Sequence, residues 1–171
     1  MIKRKFLTLA VTASLVGGFE GYRNIAYLDP VGIPTICFGA TRNLDGSRVR
    51  LGQQYNYEEC ENLLYADLFY HRNIVLRSVK VPLSESQKIA LTSFVYNVGE
   101  GAFQSSTLLR KINAGTPVGQ ACKEELPRWD KGTIAGRKIV LGGLVKRRAS
   151  EVEICNTPDD DLFTKELQNV G

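Results

Sequence analysis

Three residues near the amino terminus combine types and spacing that could hydrolyse a glycosidic bond. Eight residues separate Glu20 from Asp29, and five separate Asp29 from Thr35. Cleavage of such a bond uses one protonated carboxyl as the acid and one ionised carboxylate on the other side of the bond. A hydroxyl such as that of Thr35 could place the attacking water. Because the chain holds 18 Asp and Glu residues, this spacing alone is weak evidence.

The two carboxyls have unlike sequence surroundings, as this chemistry requires. Glu20 follows Phe19 at the end of an apolar run, where partial burial would favour the protonated form. Asp29 precedes Pro30 in a stretch that contains further Gly and Pro residues, which predicts a polar, solvated turn. The pair therefore fits a general acid with an ionised partner.

Four short motifs surround these residues: Glu20-Gly21, Tyr27-Leu28-Asp29, Gly32-Ile33-Pro34-Thr35 and Phe38-Gly39. Three later segments, residues 93–99, 106–113 and 144–148, extend the same pattern. Together the motifs and segments resemble the phage-type lysozymes of glycoside hydrolase family 24. The resemblance covers Val16 to Cys155, which is most of the chain.

The resemblance implies that Glu20, Asp29 and Thr35 form the catalytic set of a muramidase. The substrate would be the β-1,4 bond between N-acetylmuramic acid and N-acetylglucosamine in the glycan strands of peptidoglycan. The family is regarded as inverting, which predicts carboxyl groups about 6.5–9.5 Å apart with room for water. Phe103 and Ser106 match the region where relatives contact the glycan, so they are the candidate substrate-binding residues. An enzyme of this kind would be an endolysin that lyses the bacterial host.

The cysteines, Cys37, Cys60, Cys122 and Cys155, contain no C-x-x-C pair, and the chain has a single histidine. This composition does not fit the usual structural or hydrolytic zinc sites, so we expect neither a metal nor another cofactor. The cysteines are either four buried thiols or two disulfides formed outside the cytoplasm. Three pairings are open. Cys37–Cys60 and Cys122–Cys155 are favoured because each would be local to one part of the fold.

The amino terminus resembles an export segment. Three basic residues, at positions 3–5, precede an uncharged run over residues 6–19. The run is weakly apolar and shorter than the ~20 residues of a stable membrane span. Signal-arrest-release endolysins, which this chain resembles here and in its cysteines, carry such a segment as an anchor that later leaves the membrane. This interpretation predicts transient inner-membrane association through residues 3–19 and export to the host periplasm.

The alternative is that the same segment is the first helix of a soluble domain. Its core-facing residues would then be Phe6, Leu9, Ala10 and Ala13. On either interpretation the chain divides into three parts. These are an export anchor or first helix over 1–19, a catalytic domain over 16–157 and a carboxy-terminal tail over 158–171.

The charge balance restricts the partners without identifying one. A net charge of +4 and a pI of about 8.9 suit an anionic partner such as peptidoglycan, nucleic acid or a membrane surface. The basic residues are not interleaved with aromatic residues, and no helix-turn-helix or RNP-like motif is present, so we expect no nucleic acid. We expect a monomer.

The order of patterns along the chain predicts the α+β class, with a small β-hairpin lobe and a larger helical lobe on either side of a cleft. Residues 24–57 are rich in Gly, Pro, Asn and Asp, which predicts the β lobe with a turn at 43–46. Later apolar periodicity predicts helices over about 58–78, 84–98, 105–114, 116–129 and 142–155. Ser84 and Gln87 form a capping box, Gly115 a left-handed helix end, and Pro127 could end its helix early.

Besides an enzyme of the same fold that cleaves chitin-like polymers instead, two other functions remain compatible with the sequence. One is a wall-binding module on a lysozyme-like fold, which the presence of all three catalytic positions disfavours. The other is a membrane-active protein whose residues 1–19 act on the membrane. Activity on isolated wall distinguishes both from a muramidase.

Overall fold

One long helix connects the two parts of the molecule. The computed structural model describes residues 2–29, 32–134 and 136–162, with side chains from residue 10 onward. Helix α2, Tyr57–Ser78, begins at a capping box in which Asn56 and Glu59 bond to each other's backbone N–H. Its buried face includes every residue that the periodicity assigned to it, which are Cys60, Leu63, Leu64, Leu68 and Val75.

The β lobe lies between α1, Ile2–Glu20, and α2. Strands β1, Arg23–Leu28, and β2, Pro34–Cys37, pair in antiparallel register, with Tyr27 opposite Thr35. The predicted turn is present, because the Gly46 N–H donates to the Asn43 carbonyl. A disulfide joins Cys37, at the end of β2, to Cys60 of α2. This bond and the core around Ile36 attach the small lobe to the long helix.

The helical lobe is built around α3, Glu85–Val98, whose capping box is formed by Ser84 and Gln87 as predicted. Four further helices surround it: α4 Glu100–Gln104, α5 Thr107–Asn113, α6 Val118–Glu125 and α7 Gly142–Cys155. Their core contains Phe94, Phe103, Leu108 and Leu126. The second disulfide joins Cys122 of α6 to Cys155 of α7, so both pairs are those favoured from the sequence.

The observed secondary structure differs from the sequence-based prediction in three places. The helix predicted over 105–114 is present as α5, and a further short helix, α4, precedes it over residues where none was predicted. The helix predicted to reach residue 129 ends at Glu125 and continues as a 3₁₀ turn, Leu126–Arg128, because Pro127 has no N–H for the helical ladder. An antiparallel hairpin then follows, β3 Lys131–Ile134 and β4 Arg137–Val140, where no strand was predicted.

Helix α1 packs against α2 and α3. Its buried residues are Val11, Thr12 and Val16, whereas the predicted Ala10 and Ala13 are only half-buried. The side chains of the other two residues predicted to face the core, at positions 6 and 9, lie outside the described part. None of the described helices is long and apolar enough to cross a membrane.

The first residues of the predicted tail are helical. Residues 159–162 form a helical segment, in which Leu162 is buried beside Val11 of α1 and Ile89 of α3. The Asp159 carboxylate accepts hydrogen bonds from the N–H groups of Glu85 and Ser86, the first turn of α3. This part of the predicted tail is therefore attached to the domain, and residues 163–171 lie outside the described part.

Candidate active site

Glu20 is the last residue of α1 and lies where the two lobes meet. Its side chain is 25% exposed, and Arg147 of α7 donates a hydrogen bond from Nη1 to its Oε1. The loop after β2 approaches from the other side, because a Cβ on Gly39 would lie 3.6 Å from Oε2 of Glu20. Gly39 has φ +95, a conformation in which most other residues would be strained. One carboxyl therefore contacts both lobes.

Asp29 and Thr35 lie in the β1–β2 hairpin and bond to the same residue. The Ile33 N–H donates to Oδ1 of Asp29 at 2.8 Å. The hydroxyl of Thr35 donates to the Ile33 carbonyl at 3.0 Å, and Thr35 itself is buried. The backbone of Ile33 therefore fixes the positions of Asp29 and Thr35 relative to each other.

Arg147 is held by several partners besides Glu20. Its Nε donates to Oε1 of Glu151 at 3.3 Å and its Nη2 to the carbonyl of Ser93 at 3.2 Å. Its guanidinium also lies 5.2 Å from the centre of the Phe19 ring. Because the Arg147 side chain is only 4% exposed, it presents a fixed, water-poor donor to Glu20.

A buried charge network lies behind Arg147. Glu151 is fully buried and accepts hydrogen bonds from the Ser93 hydroxyl at 2.7 Å and from Nη2 of Arg148 at 3.2 Å. Burial raises the pKa of Glu151, while Arg148, Ser93 and Arg147 oppose that rise. Burial lowers the pKa of Arg148 to about 10, so this side chain, which also donates to Asn97, remains charged at neutral pH.

One cavity is lined by Glu20, and a second is lined by the neighbouring Gly39. The first, of about 490 Å³, is lined by the ends of α1 and α3 and the start of α7, including Phe19, Glu20, Asn97, Leu141, Leu144 and Arg147. The second, of about 620 Å³, is lined by the β lobe, α2 and α3, including Gly39, Arg42, Asp67, His71 and Tyr96. Tyr96 is fixed there by donating to the carbonyl of Phe38 at 2.8 Å. Both cavities are open, as a site for a polymeric substrate needs to be.

Comparison with known proteins identifies this arrangement. The family model for phage lysozyme matches residues 17–151. The chain belongs to the phage lysozyme family. It is 38% identical to the SAR-endolysin of Pseudomonas phage phiKMV, covering 87% of this chain and 89% of that protein. It is 44% identical to the SAR-endolysin of Enterobacteria phage P21, covering 81% and 78% respectively.

A solved structure gives the same result. The endolysin of Escherichia coli O157:H7 phage FAHEc1 is 36% identical and superposes with a TM-score of 0.76, covering 85% of this chain and 90% of that one. The lysozyme-like α+β fold expected from the sequence is thereby confirmed. This phage lysozyme is an endolysin, a muramidase whose substrate is bacterial peptidoglycan.

Both candidate substrate-binding residues of this phage lysozyme are buried. Phe103 is fully buried and packs edge-on against Phe94, so a glycan could reach it only if it left the core. Ser106 is buried as the N-cap of α5, donating to the Phe103 carbonyl and accepting from the Leu109 N–H. Both residues therefore have packing or capping roles, and their contact with the glycan stays a prediction.

The sequence did not indicate that Arg147 contacts Glu20 or that Arg148 lies in the buried network behind it. Both are buried, although basic residues are usually exposed. Glu151 lies four residues after Arg147, the spacing of an ion pair within one helix. That spacing was a signal available in the sequence, but the contact with Glu20 depends on the packing of α1 against the rest of the fold.

Proposed function

We propose that Glu20 is the general acid of this phage lysozyme, that Asp29 is the ionised carboxylate, and that Thr35 positions the water. The bond cut is the β-1,4 linkage between N-acetylmuramic acid and N-acetylglucosamine. Glu20 gives its proton to the departing glycosidic oxygen as the bond to C1 of the muramic acid breaks. Water attacks C1 from the opposite face and passes a proton to Asp29, which inverts the anomeric centre.

The environment of Glu20 is the observation that carries this proposal. Its carboxyl is partly enclosed between Arg147 and the Gly39 loop and faces an open cavity. The hairpin holds Asp29 and Thr35 by shared bonds to Ile33. In the resting protein Arg147 orients this carboxyl group. Protonation of Glu20 and displacement of this contact by the substrate would leave an acid already in position.

The first test is release of new reducing ends from purified peptidoglycan, comparing the wild type with Glu20→Gln. We expect a loss of at least roughly 10²-fold, the low end for removal of a general acid. Glu153→Gln, in an exposed glutamate of α7, is the control and should retain full activity. Activity that survives in Glu20→Gln would place the acid elsewhere. Cell lysis that survives without reducing-end release would favour the membrane-active alternative.

The stereochemistry and the water-positioning role have their own tests. Nuclear magnetic resonance of the earliest product should show the α-anomer of muramic acid, and an initial β-anomer would exclude inversion.

Thr35→Val keeps the side-chain shape and removes the hydroxyl, whereas Thr35→Ser retains the hydroxyl. If Thr35 positions water, the valine variant loses kcat while the serine variant keeps most of it. Equal kcat in both variants would exclude this role.

We further propose export to the host periplasm through residues 3–19, with a transient tether to the inner membrane and a monomeric released enzyme. The support is the weakly apolar segment itself and the similarity to phage proteins named SAR-endolysins. A fusion of residues 1–19 to a phosphatase that is active only in the periplasm should show activity and sediment with membranes. A soluble, inactive fusion would contradict export. Sedimentation equilibrium of the released enzyme should give one 19.0 kDa chain.

A further inference from the structure

The turn after β2, residues 37–39, is a tight loop that lies beside the catalytic cavity. Ile36 and Ala40 exchange both of their backbone hydrogen bonds at 2.9 Å, and the three residues between them project beyond that pair. Two of the three have left-handed backbone conformations, with φ 60 at Cys37 and φ +95 at Gly39. Such a conformation is strained for a cysteine, so contacts from outside the loop have to hold it.

Contacts from three helices hold this loop. The disulfide joins Cys37 to Cys60 of α2. The Phe38 ring is buried and would lie 3.7 Å from a Cβ built on Gly17 of α1. The Tyr96 hydroxyl of α3 donates to the Phe38 carbonyl at 2.8 Å. The first two contacts act through side chains of the loop, whereas the bond from Tyr96 restrains its backbone directly.

The Tyr96 hydroxyl is a fixed donor. Its ring packs against that of His71, with ring centres 5.1 Å apart. The His71 Nδ1 lies 2.7 Å from the Asp67 carbonyl and therefore carries a hydrogen, because a carbonyl only accepts. Burial raises the pKa of Tyr96, and the nearby carboxylates of Asp67 and Glu20 raise it further. The hydroxyl consequently keeps its proton at neutral pH and can donate it to the loop.

The loop adjoins the oxygen of Glu20 that is not bonded to Arg147. Arg147 donates to Oε1 of Glu20. A Cβ built on Gly39 would lie 3.6 Å from Oε2 of Glu20 and 3.9 Å from the Tyr96 hydroxyl oxygen. Because a guanidinium only donates and a protonated oxygen is a poor acceptor, the acid form of Glu20 carries its proton on Oε2. Gly39 therefore lies next to the atom that would release the proton to the glycosidic oxygen.

We propose that Tyr96 is a positioning residue of the reaction, whose hydroxyl holds the 37–39 loop against Oε2 of Glu20. This role rests on the proposed function of Glu20 as the general acid. With the bond in place, the loop limits the space around Oε2 on the side of the β lobe. Without the bond, the strained loop backbone relaxes away, and Oε2 gains room to rotate and to bind water. An acid that is less often in the productive position lowers turnover.

The test is Tyr96→Phe, which keeps the ring and removes the hydroxyl. For reducing-end release from purified peptidoglycan, we expect kcat to fall about three- to tenfold, the size of effect of one lost hydrogen bond, and KM to stay the same. Tyr55→Phe is the matched control, because the Tyr55 hydroxyl also donates within the β lobe, to Oδ1 of Asn43 at 3.0 Å. Both variants should lose a similar amount of thermal stability, and the control should keep the kcat of the wild type.

Crystal structures of the wild type and of Tyr96→Phe give a second measurement. In the variant Gly39 should lie farther from Glu20, while the β1–β2 hairpin keeps its position. A loop that keeps its distance from Glu20 would overturn the proposal, because Tyr96 would then not be what holds it there.

Two kinetic results would also overturn it. A higher KM at unchanged kcat in Tyr96→Phe would mean that the hydroxyl contacts the glycan directly. A fall in kcat that Tyr55→Phe shares, or a loss of thermal stability without a fall in kcat, would mean that Tyr96 only stabilises the fold. Glu20→Gln separates these failures from failure of the proposed function. Activity that survives in Glu20→Gln removes the general acid itself, whereas an inactive Glu20→Gln beside a fully active Tyr96→Phe overturns only the role of Tyr96.

Discussion

Arg147 donates to the carboxylate of Glu20 across 127 positions of sequence. This ion pair connects the end of the first helix to the last long helix. Glu151 and the Ser93 carbonyl hold the other nitrogens of the same guanidinium. The orientation of Glu20 therefore depends on the buried network between α3 and α7 as well as on the hairpin motif that follows it.

Replacement of Arg147 should reduce turnover more than substrate binding. Arg147→Gln removes the donor that orients Glu20, and a displaced acid can cost roughly 10²-fold in kcat. Arg147→Lys retains the charge but not the planar fork that reaches three partners, so it should recover only part of the activity. Reducing-end release gives kcat and KM, and circular dichroism checks the fold. Lys123→Gln, at an exposed site of α6, is the control. Full activity of Arg147→Gln would show that Glu20 is positioned without it.

Removal of Glu151 should destabilise the protein severely. Glu151→Ala leaves Arg148 buried without its carboxylate, and breaking a buried pair from one side costs about 3–5 kcal/mol. Urea unfolding followed by circular dichroism measures the change. Glu153→Ala, two residues along the same helix but exposed, should be nearly neutral. Similar unfolding midpoints for the two variants would contradict a stabilising network.

Asp67 should make stability depend on pH. Burial raises its pKa above the ordinary value of 3.8, and the neighbouring His71 opposes the rise. Above pH 3.8 the unfolded chain loses this proton first, so the native state binds more protons and stability falls with rising pH. The decrease in the free energy of unfolding is complete once the pH exceeds the pKa that Asp67 has in the folded protein. Asp67→Asn removes this penalty.

We therefore expect the Asp67→Asn variant to be more stable than the wild type at pH 7. The two proteins should converge as the pH falls below 3.8, where the wild-type carboxyl is protonated in both states. Urea midpoints at pH 3, 5 and 7 give the comparison. A difference of constant size at all three pH values would mean that the charge of Asp67 is not its cause.

The disulfide between the lobes should contribute measurably to stability. Cys37 and Cys60 are 23 positions apart, and closing a loop of this size is worth about 3 kcal/mol by the chain-entropy estimate. The Cys37→Ala, Cys60→Ala pair avoids burying free hydroxyls and should lower the free energy of unfolding by this amount. A reducing agent should destabilise the wild type, and it should affect the variant only through the remaining Cys122–Cys155 bond. Equal urea midpoints for variant and wild type under oxidising conditions would contradict the prediction.

Features of local origin were predictable from the sequence. The capping box at Ser84 and Gln87 and the buried face of α2 arise from contacts within a few residues, so their spacing is visible in the chain. Glu20, Asp29 and Thr35 could be proposed in the same way, because all three lie in one short segment. The α+β class followed from the change of pattern near residue 57.

The features that could not be predicted from the sequence depend on contacts between distant segments. Phe103 was a candidate for the glycan because an aromatic residue suits both core and ligand, and only the packing of α3 and α4 placed it inside. The β3–β4 hairpin escaped prediction because its strands are exposed and lack a buried alternating face. Residue types and short spacings determined the chemistry available to this lysozyme. Tertiary packing brought Arg147 to Glu20, because the packing of helices can place residues side by side that lie more than a hundred positions apart in the sequence.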